Sequence, residues 1–317
     1  MPGEERQNLS PGFFLKEVDM YFPVAGIHAD PFIVFFTAFV VSFFTSMGGI
    51  SGAFLLLPFQ MSFLGYTAPS VSATNHVFNI IAIPSGVYRY IREGRMLWPL
   101  ARAIIWGTLP GVFIGAWVRI EYLPDPKNFK VFAGTVLLYI GYKLLKDVVG
   151  RYKTGNKNPS VKETGAHRLV MTEVSFKKVR FIFGEKSYGY TPITIYMVCF
   201  LVGIIGGIYG IGGGSIIAPV LVTIMGLPVY VIAGAALMGT CITSVSGVIF
   251  YKLLSYVYPE VSVAPDWMLG ALFGSGGILG MYLGARSQKF VKEIYIKGLL
   301  AGCILFISIK YISAFFI

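Results

Sequence analysis

The sequence predicts an all-α fold, a polytopic membrane helical bundle of two inverted repeats, each with about five hydrophobic elements that include a Gly-interrupted short helix. Of the 317 residues, 55% are hydrophobic and 13% are charged, whereas soluble domains carry about 25% charged residues. The long uncharged runs are continuous, as in membrane helices, and do not alternate as barrel strands do. An internal duplication then divides the chain into two halves.

The chain is predicted to have four parts. The N-terminal segment, residues 1–30, mixes acidic and basic residues without a long apolar core, so it is not a cleavable signal peptide. Its stretch 12–24 fits either a short interfacial helix or a disordered lead. The first transmembrane repeat covers residues 31–150, a basic cytoplasmic loop covers 151–190, and the second transmembrane repeat covers 191–317.

Each repeat contains hydrophobic elements of about the length that a membrane span requires. In the first repeat they are residues 32–47, 50–66, 71–91, 97–119 and 128–149. In the second repeat they lie near 193–209, 212–227, 230–252, 266–285 and 292–315. The second element of each half is short and follows glycines, so it is either a full span or a partial one that returns to the same side.

Two glycine-rich segments carry the duplication. GGISGAFLLLPF at 48–59 aligns with YGIGGGSIIAPV at 209–220, at an offset of 161 residues. After a four-residue insertion, the match continues with Gly111 and Gly115 on Gly276 and Gly280. A duplication therefore explains the pattern better than chance does.

The charge distribution predicts the orientation of the repeats. Residues 151–190 hold nine Lys or Arg against three Glu, which places this loop in the cytoplasm by the positive-inside rule. If each half crosses the membrane an odd number of times, the basic segment 286–292 is also cytoplasmic and the loop 252–266 is external. An even number of crossings in each half would place the basic segment 286–292 outside and the loop 252–266 in the cytoplasm, against the positive-inside rule. We therefore infer inverted repeats. Within the basic loop, residues 169–183 fit either a small hairpin or a linker.

Charge and composition also exclude several functions. The net charge of +11 is concentrated in loops, so it indicates membrane orientation and no nucleic-acid partner. No acidic residue lies in the middle of a span, which disfavours cation or metal transport because such sites need carboxylates. The segment GIYGIGGGS at 207–215 lacks the Lys-Ser/Thr of a nucleotide-binding P-loop. We expect no cofactor and no metal.

Glycine clusters interrupt equivalent apolar stretches in the two halves. Glycine permits a non-helical backbone inside the membrane, which leaves N–H groups at the start of the next helix to bind an anion. The alternative is close helix packing through small residues. The residues of these clusters that we assign to a substrate site are Gly49, Ser51, Gly52, Gly212, Gly213, Gly214 and Ser215.

Polar side chains deep in the third element of each half complete the predicted site. They are Asn75, His76 and Asn79 in the first half and Thr240 and Ser244 in the second. Polar groups at this depth face a cavity or a partner helix, so they bind substrate or hold helices together. His76 is a proton carrier, an anion contact or a structural histidine.

Two further features of the sequence have competing interpretations. GISG at 49–52, with His76 further on, resembles the serine motif and histidine of intramembrane rhomboid proteases, but Ser51 aligns with Gly212 in the repeat. We expect no catalytic residue, and an intramembrane serine hydrolase remains the less favoured alternative. The arginines near span ends are interpreted as interfacial anchors or, less readily, as the lining of a vestibule; they are Arg89, Arg102, Arg119 and Arg286.

The duplicated pattern resembles the sulfite exporter TauE/SafE family, also called the toluene sulfonate uptake permeases (TSUP). The clearest match is GIYGIGGGSIIAPVLVTIMG at 207–226, followed by MGTCITSVSGVIFYK at 238–252. In the first half, residues 47–59 and 72–79 correspond, although Ile50-Ser51-Gly52-Ala53 replaces the usual glycine run. The basic loop is longer than is typical.

This resemblance implies a multi-pass transporter of the cell inner (plasma) membrane that moves small sulfur-containing anions such as sulfite, sulfonates or sulfoacetate. It further implies movement that is often outward, with a proton as coupling ion, while the inverted repeats predict alternating access in which one half rocks against the other. A passive anion channel is the closest alternative. The expected partners are the anion, the lipid bilayer and the coupling proton, and the sequence leaves open whether the chain is a monomer or a homodimer.

Overall fold

Ten α-helices dominate the part of the chain that the computed structural model describes, residues 19–153, 169–175, 177–183, 186–291 and 293–316. For Ser215 and several other helical residues only the backbone is described. The helices of the first half are α1 (Pro31–Met47), α2 (Ala53–Ser62), α3 (Ser70–Arg92), α4 (Trp98–Glu121) and α5 (Pro126–Lys153). Those of the second half are α6 (Pro192–Tyr209), α7 (Gly213–Met225), α8 (Val229–Val257), α9 (Trp267–Ser287) and α10 (Glu293–Phe316).

Short strands lie outside the bundle. β1 (Met20–Phe22) and β2 (Ile27–Ala29) form an antiparallel hairpin, so an interfacial helix over 12–24 is wrong for residues 20–22, while residues 1–18 lie outside the described part. In the basic loop, β3 (Val170–Val174), β4 (Val179–Phe183) and β5 (Lys186–Tyr190) form an antiparallel sheet in that order. The hairpin alternative for 169–183 is therefore correct.

Helix lengths agree with a polytopic membrane protein. Among the described residues, α4, α6, α8, α9 and α10 are long and apolar enough to cross a membrane. The second helix of each half is shorter than predicted, with 10 residues in α2 and 13 in α7. At about 1.5 Å per residue, neither helix covers the roughly 30 Å of a hydrocarbon core.

The two halves exchange helices. α1 packs on α9, and α6 packs in the same way on α4, so the first helix of each half lies on the fourth helix of the other. Glycines permit these close crossings: a Cβ added at Gly276 would lie 2.1 Å from Phe35 O, and one at Gly111 would lie 2.3 Å from Phe200 O. α3 and α8 contact each other, as do α5 and α10. The exchange has the two-fold pattern expected of a duplicated chain.

The strands mark opposite ends of the bundle. At one end, the hairpin backbone N–H groups of Val24 and Ala25 donate to Asp266 at the start of α9, at 3.2 and 3.1 Å. At the other end, the ring of Phe183 in the sheet lies 5.5 Å from that of Tyr230 near the start of α8. α9 begins at the hairpin end and runs to the sheet end. The 252–266 loop, which precedes α9, therefore lies at the hairpin end, and the 286–292 segment, which follows it, lies at the sheet end. The inverted orientation of the repeats in a membrane remains a prediction.

Candidate functional site

Two glycine turns face each other inside the bundle. Between α1 and α2 the chain turns through Gly49, whose φ is 71°. Between α6 and α7 it turns through Gly210 and Gly212, whose φ values are 76° and 72°. These left-handed conformations favour glycine because it has no Cβ. The sequence alignment of the two glycine clusters therefore corresponds to two broken helices at equivalent positions.

A buried polar cluster joins the two turns, and we call it the Asn79 cluster: Ser51, His76, Asn79 and Ser244. Ser51 Oγ donates to Asn79 Oδ1, and Asn79 Nδ2 donates to Ile211 O and to Ser244 Oγ, each at 3.1 Å. His76 Nδ1 lies 3.2 Å from Ser244 Oγ. All four side chains are fully buried. The cluster thus connects the first turn, α3, the second turn and α8.

Ser51 also supports the start of the short helix α2, because its Oγ accepts a hydrogen bond from Ala53 N, the first residue of that helix, at 3.2 Å. This contact satisfies one of the backbone N–H groups that a helix leaves unpaired at its start. Ser51 contacts Asn79 rather than His76, whose hydroxyl partner is Ser244. The Ser51–His76 pair that a serine hydrolase requires is therefore not formed among the described contacts.

Asn75 belongs to a separate contact. It shares a face of α3 with Asn79, as the spacing predicts, but its Oδ1 accepts from Gln60 Nε2 of α2 at 2.7 Å. Among the described residues, Asn75 Nδ2 and Gln60 Oε1 have no hydrogen-bond partner although both are buried. Gln60 was not among the predicted site residues, although an amide side chain inside an otherwise apolar short helix could have indicated it.

The predicted glycines divide between the site and packing. A Cβ at Gly212 would meet side chains of α8, with Thr243 Oγ1 at 3.0 Å, Thr240 Cγ2 at 3.1 Å and Ser244 Oγ at 3.2 Å. Gly212 therefore lies beside the cluster, and Thr240 lies near it. In contrast, a Cβ at Gly213 would meet Thr108 Cβ at 2.6 Å.

The remaining predicted glycines also pack closely against other helices. A Cβ at Gly214 would lie 2.3 Å from Ala236 O, and one at Gly49 would lie 2.6 Å from Ala233 Cα. A Cβ at Gly52 would lie 2.6 Å from Ser42 Oγ. The packing interpretation therefore applies to these three positions. Ser215 lies in α7, and its side chain is outside the described part.

The Asn79 cluster consists of uncharged polar groups. Its members are two hydroxyls, an amide and an imidazole, held between α3, α8 and the two turns. Among the described residues, no group of His, Cys, Asp or Glu is arranged to hold a metal ion. Hydroxyl, amide and imidazole N–H groups can donate to a bound anion without adding negative charge.

A cleft at the sheet end leads to the first turn. Met47, Gly48 and Ile50 form part of its wall. Ile50 precedes Ser51, so this wall is the turn that carries the cluster. Gln288 and Lys297, both largely buried, contribute polar groups to the lining.

The arginines expected at the membrane interface behave differently from one another. Arg102 and Arg286 are exposed, and Arg89 pairs with Glu93 at 2.5 Å. Arg119 is fully buried, so its interpretation as an interfacial anchor is wrong. The apolar sequence of α4 around Arg119 did not indicate that this side chain would be buried.

Comparison with known proteins gives matches along most of the chain. The family model described as "Sulfite exporter TauE/SafE" matches residues 34–311. The "Probable membrane transporter protein YunE" of Bacillus subtilis (strain 168) is 23% identical over 272 residues, covering 81% of this chain and 90% of that protein. The "Probable membrane transporter protein YdhB" of the same organism is 28% identical over 123 residues, covering 39% and 47%. No solved structure matches the chain.

Proposed function

Starting from the fact that the chain belongs to the sulfite exporter TauE/SafE family, we propose that it is a secondary transporter of small sulfur-containing anions. The substrates in this proposal are sulfite, sulfonates or sulfoacetate, and the proposed direction is export. Two relatives named as probable membrane transporters support the broader activity. We further propose that the protein resides in the plasma membrane with the three-stranded sheet on the cytoplasmic side.

The observation that carries the proposal is the Asn79 cluster itself. It is fully buried and contains hydrogen-bond donors without a carboxylate. Both short helices begin beside it, since α2 starts at Ala53 and α7 at Gly213. Helix N-termini attract anions through their free N–H groups and the helix dipole. Such broken helices near the midplane are the usual location of transporter sites.

Helix exchange suggests how alternating access would proceed. Rocking one sequence half against the other would separate α1 from α9 and α6 from α4, which are closely packed crossings. We therefore propose that the moving units are composite, with α1, α3 and α9 in one and α4, α6 and α8 in the other. The contact of α3 with α8 joins these units, and Asn79 and His76 both bond across it to Ser244.

Transport measurements test the proposed function directly. Purified protein in liposomes should give saturable currents on solid-supported membranes when sulfite or a sulfonate is applied, and smaller ones with carboxylates. The currents should change with the imposed pH gradient. A passive channel would instead give a flux that does not saturate and shows no counterflow of labelled anion. Absence of flux for every sulfur-containing anion would refute the proposal.

A substitution of His76 tests proton coupling. We expect His76→Gln, which keeps polarity and approximate size but cannot titrate, to bind anion while losing the dependence of flux on the pH gradient. The matched control is His28→Gln, because His28 is exposed in the hairpin and lies 3.0 Å from Asp19. An unchanged pH dependence in His76→Gln would assign His76 a role in binding or packing instead.

A further inference from the structure

Arg119 is an unusual residue for the end of a membrane helix. It lies in the last turn of α4, and among the described residues it is the largest side chain that is completely buried. Arginines near span ends normally extend their charged group to the interface, where water solvates it. The guanidinium of Arg119 remains inside the protein, so its charge must be compensated there.

Only part of the guanidinium is engaged by the protein. Nη1 donates to Leu123 O, and the group lies over the ring of Phe129, with Cζ 3.9 Å from the ring centroid. In the described part of the chain, Nε and Nη2 have no hydrogen-bond partner. These two atoms form one edge of the planar guanidinium, and two parallel N–H bonds from such an edge match the geometry of an oxyanion.

The nearby carboxylates bond to other groups. Glu121 Oε2 accepts from Tyr258 Oη at 2.7 Å, and Asp125 Oδ1 accepts from Lys127 N at 2.6 Å. Asp266, at the same end of the bundle, accepts from the hairpin and from Leu269 N. Arg119 therefore has no carboxylate partner among the described residues. A buried, unpaired charge is costly, and a bound anion would remove that cost.

Arg119 lies one aromatic layer from the Asn79 cluster. Its neighbours Ala116 and Ile120 pack in one apolar group with Tyr251. The ring of Tyr251 is 5.9 Å from that of His76, and its Oη donates to Gly207 O at 3.2 Å. An anion that leaves the cluster toward the hairpin end would meet Arg119 immediately beyond this layer.

We propose that Arg119 forms a second anion-binding site, at the hairpin end of the bundle, that holds a small oxyanion through Nε–H and Nη2–H. This proposal rests on the proposed function, since the site would bind the transported anion on its way between the Asn79 cluster and one membrane surface. The second half of the chain has no equivalent of this site. Gly284 occupies the position of Arg119 in the second half, where a Cβ would lie 2.1 Å from Ser46 Oγ.

Equilibrium binding of sulfur-35 sulfite to the purified full chain tests this site. In gluconate buffer at constant ionic strength, the wild-type chain should bind two sulfite ions and Arg119→Gln one. Arg119→Lys keeps the charge but loses the two-bond edge, so the affinity of the second site should fall at least about tenfold. The matched control is Arg286→Gln, which removes an exposed arginine and should still bind two.

Thermal unfolding provides a second measurement. Sulfite, sulfate and phosphate should raise the melting temperature of the wild-type chain, and part of this rise should be absent in Arg119→Gln. In gluconate buffer without sulfite, sulfate or phosphate, Arg119→Gln should be at least as stable as wild type, because it removes an uncompensated buried charge. A large loss of stability there, or failure to fold, would show that the guanidinium is a structural cation and would overturn the proposal.

These outcomes separate the second site from the transport function. Equal stoichiometry and equal protection in Arg119→Gln and wild type would overturn the second site, even if sulfite is transported. Conversely, binding that depends on Arg119 without transport of any sulfur-containing anion would refute the proposed function and leave the site standing. Asn79→Ala should keep the component of binding that depends on Arg119.

Discussion

Asn79→Ala is expected to abolish anion transport while leaving the protein inserted in the membrane. Asn79 accepts from Ser51 and donates to Ile211 O and Ser244 Oγ, so it joins both glycine turns to the contact of α3 with α8. Loss of a buried hydrogen-bond partner costs about 1–3 kcal/mol for each group left unsatisfied. A total of about 3 kcal/mol corresponds to a decrease in transport of roughly 100-fold.

A nearly isosteric variant tests the effect of a negative charge at this position. Asn79→Asp retains the acceptor for Ser51 but loses the two donated bonds and places a negative charge where we propose that the anion binds. Its flux in liposomes should be as low as that of Asn79→Ala or lower. Asn128→Ala, an exposed asparagine at the start of α5, is the matched control and should transport normally. Near-normal flux in Asn79→Ala would exclude the cluster as the site.

Gly212→Ala should reduce transport by more than about tenfold, for two additive reasons. Its φ of 72° and ψ of 143° lie in a region that is accessible almost only to glycine, at a cost of roughly 1–3 kcal/mol for other residues. The added methyl group would also lie 3.0 to 3.2 Å from Thr243, Thr240 and Ser244, on the buried polar face of α8. The variant therefore changes both the turn and the site.

Gly226→Ala is the control for backbone strain alone. Gly226 has a φ of 64°, and no atom lies within 4 Å of an added Cβ. We expect it to lose about 1–2 kcal/mol of stability and to transport nearly as well as wild type. Initial flux rates should be compared at equal amounts of inserted protein. Equal flux in the two alanine variants would indicate that Gly212 serves only the turn.

The sequence alone determined the class of fold and the location of its special segments. Low charge and long apolar runs indicated membrane helices, because hydrocarbon leaves a chain few other ways to satisfy its backbone. The matched glycine clusters correctly located both helix breaks, since positive φ angles require glycine. The sequence also singled out Asn79, His76 and Ser244 as buried polar residues, and the structure places both Asn79 and His76 in contact with Ser244. Their role in binding substrate stays a prediction.

Only the tertiary structure decided which of these residues meet. Helical periodicity placed Asn75 and Asn79 on one face of α3, yet Asn75 bonds to Gln60 while Asn79 bonds to Ser51 and Ser244. The exchange of first helices between the halves likewise had no local signal, because it depends on which distant surfaces pack best. The burial of Arg119 has the same origin. Local patterns fix the face of a helix on which a residue lies, whereas long-range packing determines what that face contacts.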